Sequence, residues 1–186
     1  MTILALDRVS LGVTDLAAAR TDYAALLGCA PEGARFRLGN MALDLVEAPA
    51  AGLSQVCFAV ADIAKTERLL AQRALAPQRQ GGDLALPTGR THGTPIGLTA
   101  MPTARAANAP PGGMTGLDHL VVGTPDQERA IVLYAGRLGL DLRLDRTNPD
   151  WGVRLLFFRC GDLVVEVAHR LGSAEADGPD RFYGFS

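Results

Sequence analysis

An α+β fold built from tandem βαβββ modules is the architecture this sequence predicts, on three observations. The chain repeats itself: "LDRVSLGVTD" (6–15), "LSQVCFAVAD" (53–62) and "LDHLVVGTPD" (117–126) align residue by residue. Each copy alternates bulky apolar residues with polar or small ones, then changes to helical spacing. Hairpin signals follow in the first and third copies. Those two copies also hold one register over a long stretch. Arg8 and His119, Tyr23 and Tyr134, and Gly28 and Gly139 all stand the same 111 residues apart.

Each copy opens with a strand. Side chains alternate across a strand, so Val9, Leu11 and Val13 oppose Arg8, Ser10 and Gly12. In the second copy Val56, Phe58 and Val60 oppose Gln55, Cys57 and Ala59, and in the third Leu120 and Val122 oppose His119, Val121 and Gly123. One face is bulky, as under a helix. The other is polar or small, as in a cavity.

Helices follow. Thr14 or Asp15, Asp62, and Thr124 ahead of Pro125 are the candidate N-caps. Leu16, Ala19, Tyr23, Leu26 and Leu27 recur at helical spacing, as do Ala130, Ile131, Leu133, Tyr134 and Leu138. Gly28 and Gly139 are candidate C-terminal caps. Residues 35–47 then read as a hairpin turning at Gly39-Asn40, and residues 153–169 as one turning at Gly161-Asp162. The third copy is about eleven residues longer, and the excess is assigned to a loop at 146–152 and its flanks.

The domain boundaries follow. Residues 1–102 hold modules one and two, which form one cupped barrel. Residues 103–113, rich in Ala and Pro, are a linker. Residues 114–171 are module three. Residues 172–186 are a second linker and the start of an incomplete module four, where "GFS" matches the "GLS" of module two. In that register the next cavity-facing position falls just past Ser186. An isolated third module exposes the concave face of its sheet, so it is expected to pair with module four or with a second chain, as a homodimer.

Composition narrows the classes. Forty-eight per cent hydrophobic and 20% charged residues suit a globular chain, and a formal charge of -2 without basic runs argues against nucleic acid. Asp7 and Arg8 interrupt any N-terminal signal segment, and no run is long enough to span a membrane. Cys29, Cys57 and Cys160 have no paired spacing and read as reduced thiols of a cytoplasmic protein.

The tandem unit, "GLDHLVVGTPDQERAIVLYAGRLGL" and the acid in "VVEVA" together resemble the vicinal oxygen chelate superfamily of glyoxalases, extradiol dioxygenases, epimerases and bleomycin-resistance proteins. The resemblance implies a divalent metal (Fe, Zn, Mn or Ni) bound by a cavity-facing residue of the first strand and an acid of the last. It also implies a small-molecule substrate whose neighbouring oxygens chelate that metal, and lyase, isomerase or dioxygenase chemistry.

Carried over by position, module three supplies His119 and Glu166 as metal ligands, with Glu166 also the catalytic carboxylate. Module one places Arg8 and Asp44 at the ligand positions. A guanidinium has no lone pair to donate, so an Arg8–Asp44 salt bridge is expected there. Module two places Gln55 and Gly97, with Gln55 a hydrogen-bonding residue of the cavity. The first barrel is therefore expected to be metal-free. Taken alone, His119 on an apolar strand reads first as a satisfied core histidine, and the matching Glu166 and the repeat bring the ligand reading level with it; Glu166 reads also as an edge or partnered acid. His92 reads as a surface-loop residue, Tyr23 and Tyr134 as packing, and Trp151 with its loop as a candidate lid. Two other readings stay open: a metal-free binding protein of the bleomycin-resistance type, and a degenerate structural barrel.

Overall fold

The computed structural model describes residues 3–101, 114–173 and 177–186. It contains two sheets. The first has seven strands: β1 (Ile3–Val13), β2 (Arg35–Arg37), β3 (Ala42–Glu47), β4 (Gly52–Val60), β5 (Gln78–Gln80), β6 (Asp83–Ala85) and β7 (Ile96–Ala100), in the order β2-β3-β1-β4-β7-β6-β5. The second has five: β8 (His119–Gly123), β9 (Asp141–Asn148), β10 (Val153–Cys160), β11 (Leu163–Arg170) and β12 (Arg181–Phe185), in the order β12-β8-β11-β10-β9. The linker expected at 103–113 lies outside the described residues.

The sheets repeat one topology. β1 runs parallel to β3 and antiparallel to β4, while β8 runs parallel to β11 and antiparallel to β12. Equivalent residues keep equivalent partners. Arg8 faces Ala42 and Ser10 faces Asp44 in the first sheet; His119 faces Val164 and Val121 faces Glu166 in the second. Both hairpins form, β2–β3 and β10–β11.

Helices cover the apolar face of each sheet. α1 (Leu16–Leu27) and α2 (Ile63–Gln72) are capped by Asp15 and Asp62, whose carboxylates accept from Ala18 and Lys65 backbone N–H groups. Gly28 closes α1 at φ 69, a left-handed conformation that costs glycine nothing. α3 (Gln127–Ile131) continues into a π-helical turn, Val132–Arg137. Its cap is Asp126 rather than the expected Thr124. Thr124 is buried and donates to the Asp126 carbonyl and to Asp180, so its hydroxyl is used elsewhere. Under the helices Leu6, Val9, Phe36 and Phe58 of the first half and Leu120, Val122, Leu133 and Phe158 of the second are buried in one apolar cluster. Tyr134 is buried and packs on Phe158, with ring centroids 5.5 Å apart.

Two expectations change. The extra residues of module three form the ladder β9–β10 rather than a loop, because Arg146 pairs with Leu155 and Asn148 with Val153. The tail forms a strand beside β8, but displaced by three residues. Gly184 faces Val121, as Gln55 faces Ser10 in the first sheet, so Gly184 takes the position expected just past Ser186. Apolar pattern sets the register: Phe182 and Phe185 lie on the core side, and Tyr183 is extruded at a bulge. At φ 153, Gly184 adopts backbone that an L side chain rarely does.

The buried apolar residues of both halves form one cluster, and polar contacts join the halves along a seam. The Asn40 amide donates to the Leu117 carbonyl at 2.7 Å and accepts from the Leu117 N–H at 2.9 Å, so one side chain pairs with both backbone groups of a single residue. Gly39 N–H donates to the Thr115 carbonyl, Asp180 N–H to the His92 carbonyl, and the Arg73 guanidinium to the Arg137 carbonyl. Asn40→Ala leaves both Leu117 groups unpaired in a half-buried seam. It is expected to lower stability by about 1–3 kcal/mol, read from urea unfolding. An unchanged unfolding midpoint would show that water replaces the amide without loss.

Candidate functional site

The first cup is filled with charge. Arg8 donates to Asp7 at 2.8 Å and to Asp83 at 2.5 Å, and its Nε lies 3.9 Å from Asp44. Arg35 takes Asp44 in a two-pronged bond, both contacts 2.6 Å. The expected Arg8–Asp44 pair is therefore the loosest contact of a larger network. Asp83 lies on β6, three strands from β1, a distance of roughly 14 Å across a flat sheet. Only strong curling brings the two into contact. Beside them Cys57 is buried; burial pushes its thiol up to about 12 although Arg8 opposes the shift, so it stays protonated at neutral pH. The Gln55 amide lies over Gly97, where an added Cβ would be 3.4 Å from Nε2.

Of these groups the sequence pointed to Arg8, Asp44 and Gln55. Asp7 carried a usable signal: the repeat aligns it with Asp118, and both acids serve the cavity residue that follows them. Arg35 carried one too: a hairpin turning at Gly39-Asn40 sets it directly opposite Asp44. Asp83 carried none, because curling of the sheet brings it in.

The second sheet has the opposite character. His119, Val121, Val164 and Glu166 lie on its concave face, with His119 and Glu166 on adjacent parallel strands. The face continues through Leu155 and Phe157 on β10, each half-buried. His119 is 30% exposed, and its Nδ1 lies 2.8 Å from the Asp118 carboxylate. That contact places the Nδ1 proton toward the acid and leaves Nε2 as a lone-pair donor. Glu166 is half-buried, with no hydrogen bond to another side chain among the described residues. A cavity of about 470 Å³ opens beside His119, lined by His119, Val121, Val153, Tyr183 and Phe185 among others; Glu166 is not among its lining residues. Gly184 adds no donor. Among the described residues no group of three or more His, Cys, Asp or Glu side chains is arranged to hold a metal.

His169 follows Ala168 on β11, also lines this cavity, and its Nδ1 lies 3.1 Å from the Thr124 carbonyl. The remaining positions fall elsewhere. His92 is half-buried at the seam at φ 54 rather than on a free surface loop, and burial lowers its imidazole below the usual value. Trp151 is 73% exposed in the β9–β10 turn and does not line the cavity. Among the described residues no helix is long and apolar enough to cross a membrane.

Residues 116–186 match the family model described as Glyoxalase/Bleomycin resistance protein/Dioxygenase superfamily. The chain is 32% identical over 56 residues to ethylmalonyl-CoA/methylmalonyl-CoA epimerase of Cereibacter sphaeroides, covering 30% of this chain and 42% of that protein. It is 35% identical over 57 residues to the mitochondrial methylmalonyl-CoA epimerase of Bos taurus, covering 31% and 33%. Both matches thus span less than half of the relative. Among solved structures it superposes on an extradiol ring-cleaving dioxygenase from B. fuscum with TM-score 0.68 at 20% identity, over 90% of this chain and 54% of that one. It superposes on BphC, a halotolerant catechol dioxygenase, with TM-score 0.69 at 13% identity, over 99% and 69%. At those identities the likeness is one of fold.

The charge network of the first cup has a pH signature. Burial alone would raise the Asp83 carboxyl, but hydrogen bonds from Thr99 and Arg8 outweigh it and hold the group below its usual value. A carboxyl lowered by folding adds stability above its unfolded pKa of about 4, and that stability is lost as pH falls through the folded value. Urea midpoints are expected to fall on acidification from about pH 5 to about pH 3, with a shallower fall in Asp83→Asn. Identical slopes in the two proteins would remove Asp83 from the acid response.

Proposed function

From a chain that belongs to the vicinal oxygen chelate superfamily through its residues 116–186, we propose a small-molecule metalloenzyme whose metal half-site is His119 and Glu166. The observation that carries the reading is the shared face. Glu166 sits on the strand beside His119, and Asp118 presents the imidazole with Nε2 open. Imidazole and carboxylate are the donor types that Fe, Zn, Mn or Ni sites use. When bound, the metal supplies Lewis acidity to the two neighbouring oxygens of a chelated substrate. Asp118 orients the ligand histidine, Glu166 acts as ligand and catalytic carboxylate, and Val121 and Phe157 provide a dry wall.

The epimerase relatives support the isomerase member of the lyase, isomerase and dioxygenase set. A metal site with catalytic use normally has three protein ligands, and this face offers two. We take the missing donors from a second copy across a two-fold axis, which brings two His119 and two Glu166 side chains together. A metal-free binding role is the second reading. It is favoured by Gly184, which leaves the fourth position without a donor.

Titration with Mn²⁺ or Zn²⁺, together with sedimentation with and without chelator, tests this. His119→Ala and Glu166→Ala are each expected to weaken metal binding by at least about tenfold. Asp118→Asn is expected to weaken it by about 10–100-fold. Arg8→Ala is expected to leave it unchanged. Wild-type affinity in both ligand variants would reject the site, and a metal-loaded monomer would reject the shared one.

A further inference from the structure

The Gly123 end of the concave face has a chemistry that the metal reading does not use. Across β12, β8 and β11, Arg181 faces Gly123 and Gly123 faces Ala168. Arg170 lies two residues beyond Ala168 on β11, so alternation places it on the same face as Arg181. Two guanidinium groups therefore flank a glycine. Neighbouring strands lie about 4.8 Å apart and Arg170 is two residues further along β11, so the two arginine backbones are about 12 Å apart, within reach of two long side chains closing on one anion. A cavity of about 380 Å³ opens at this point, lined by Gly123, Arg170, Ser173, Arg181 and Tyr183 among others. It shares Ala168, Arg170 and Tyr183 with the cavity beside His119.

Some arginines of the same sheet and its helix are taken by acids, while Arg146 and Arg159 on β9 and β10 make no ion pair among the described residues and do not line this cavity. Arg143 pairs with Asp141, Arg154 with Asp145 and Glu128, and Arg129 with the buried Asp180. Arg170 and Arg181 make no ion pair among the described residues. Asp180, the nearest acid in sequence to Arg181, is fully buried and taken by Arg129 and Thr124. Over the glycine lies the ring of Tyr183, which is 78% exposed; a Cβ at position 123 would be 2.3 Å from its Cε2. The site thus combines two cations without an ion pair among the described residues, the Ser173 hydroxyl and an exposed aromatic face.

We propose that this end of the face binds the anionic group of a small organic molecule, a carboxylate or a phosphoryl group, held between Arg170 and Arg181 with its organic part against Tyr183. The inference deepens the metal reading by giving the substrate of that site a negative charge at its far end. It rests on that reading only for the identity of the substrate. The anion site itself needs no metal.

The test uses the whole chain in excess chelator, so that it stands or fails apart from metal binding. Phenyl phosphate, benzoate and neutral benzyl alcohol are titrated in turn, followed by amide chemical shifts and calorimetry. One of the two anions is expected to shift Gly123, Arg170, Ser173 and Arg181, with benzyl alcohol binding much more weakly. The tighter anion identifies phosphoryl or carboxylate. Arg170→Gln and Arg181→Gln are each expected to weaken the binding by about tenfold, the loss of one charge-assisted hydrogen bond, whereas Arg143→Gln leaves it unchanged. Added salt is expected to weaken it further. The spectra report whether each variant is folded. Equal binding of benzyl alcohol, shifts elsewhere on the chain, or full affinity in the folded double variant would overturn the proposal.

Discussion

The antiparallel ladder between the opening strands of neighbouring modules is the interaction on which the rest of this structure depends. β1 pairs with β4 and β8 with β12, and each opening strand also carries a parallel neighbour from its own hairpin. That arrangement buries Val9 and Val56 on one side, and Leu120 with Phe185 on the other, under helices. The alternate residues must then face the hollow. Arg8, Ser10, Gln55, His119 and Val121 are cavity residues for that reason, before any chemistry is assigned to them.

What each hollow does with its residues is decided by charge. In the first, a guanidinium stands where its repeat partner is an imidazole, and acids gather on it. Arg8 with Asp7 and Asp83, and Arg35 with Asp44, neutralise one another within a partly buried cup. Such pairs offset their own desolvation, and they commit Arg8, Asp44 and Asp83 to one another. In the second sheet the same position is His119, held by Asp118 and open to the cavity. One acid serves in both copies, bonding a cation in one and orienting an imidazole in the other.

The seam between the halves adds specific polar contacts to an apolar cluster that both halves share. Asn40 imitates a strand partner for Leu117, and the Arg129–Asp180–Thr124 cluster holds the final strand's approach. The Asp180 N–H on the His92 carbonyl ties that approach to module two. These contacts fix where β12 enters the second sheet. They thereby fix which end of the concave face carries Arg181 and Tyr183.

The sequence by itself determined the module, the repeat and the facing of each strand. Alternation and helical spacing are local properties, and Gly28, Asp15 and Asp62 act within one turn of where they stand. It also determined that Arg8 and His119 occupy matching places, since the 111-residue offset holds from the opening strand to the end of the helix. The register of β12 was not legible. "GFS" resembles "GLS", but the burial of Phe182 and Phe185 outweighs that likeness and moves the strand by three residues. Nor was the Arg8 network legible: Asp83 lies 75 residues away in sequence, and only the curl of seven strands closes that gap. The pairing of Arg170 with Arg181 around Gly123 likewise exists only because β12 lies against β8. Local pattern tells each residue which way to face, whereas its neighbours across the hollow are chosen by how the strands stack, and that is a property of the folded chain alone.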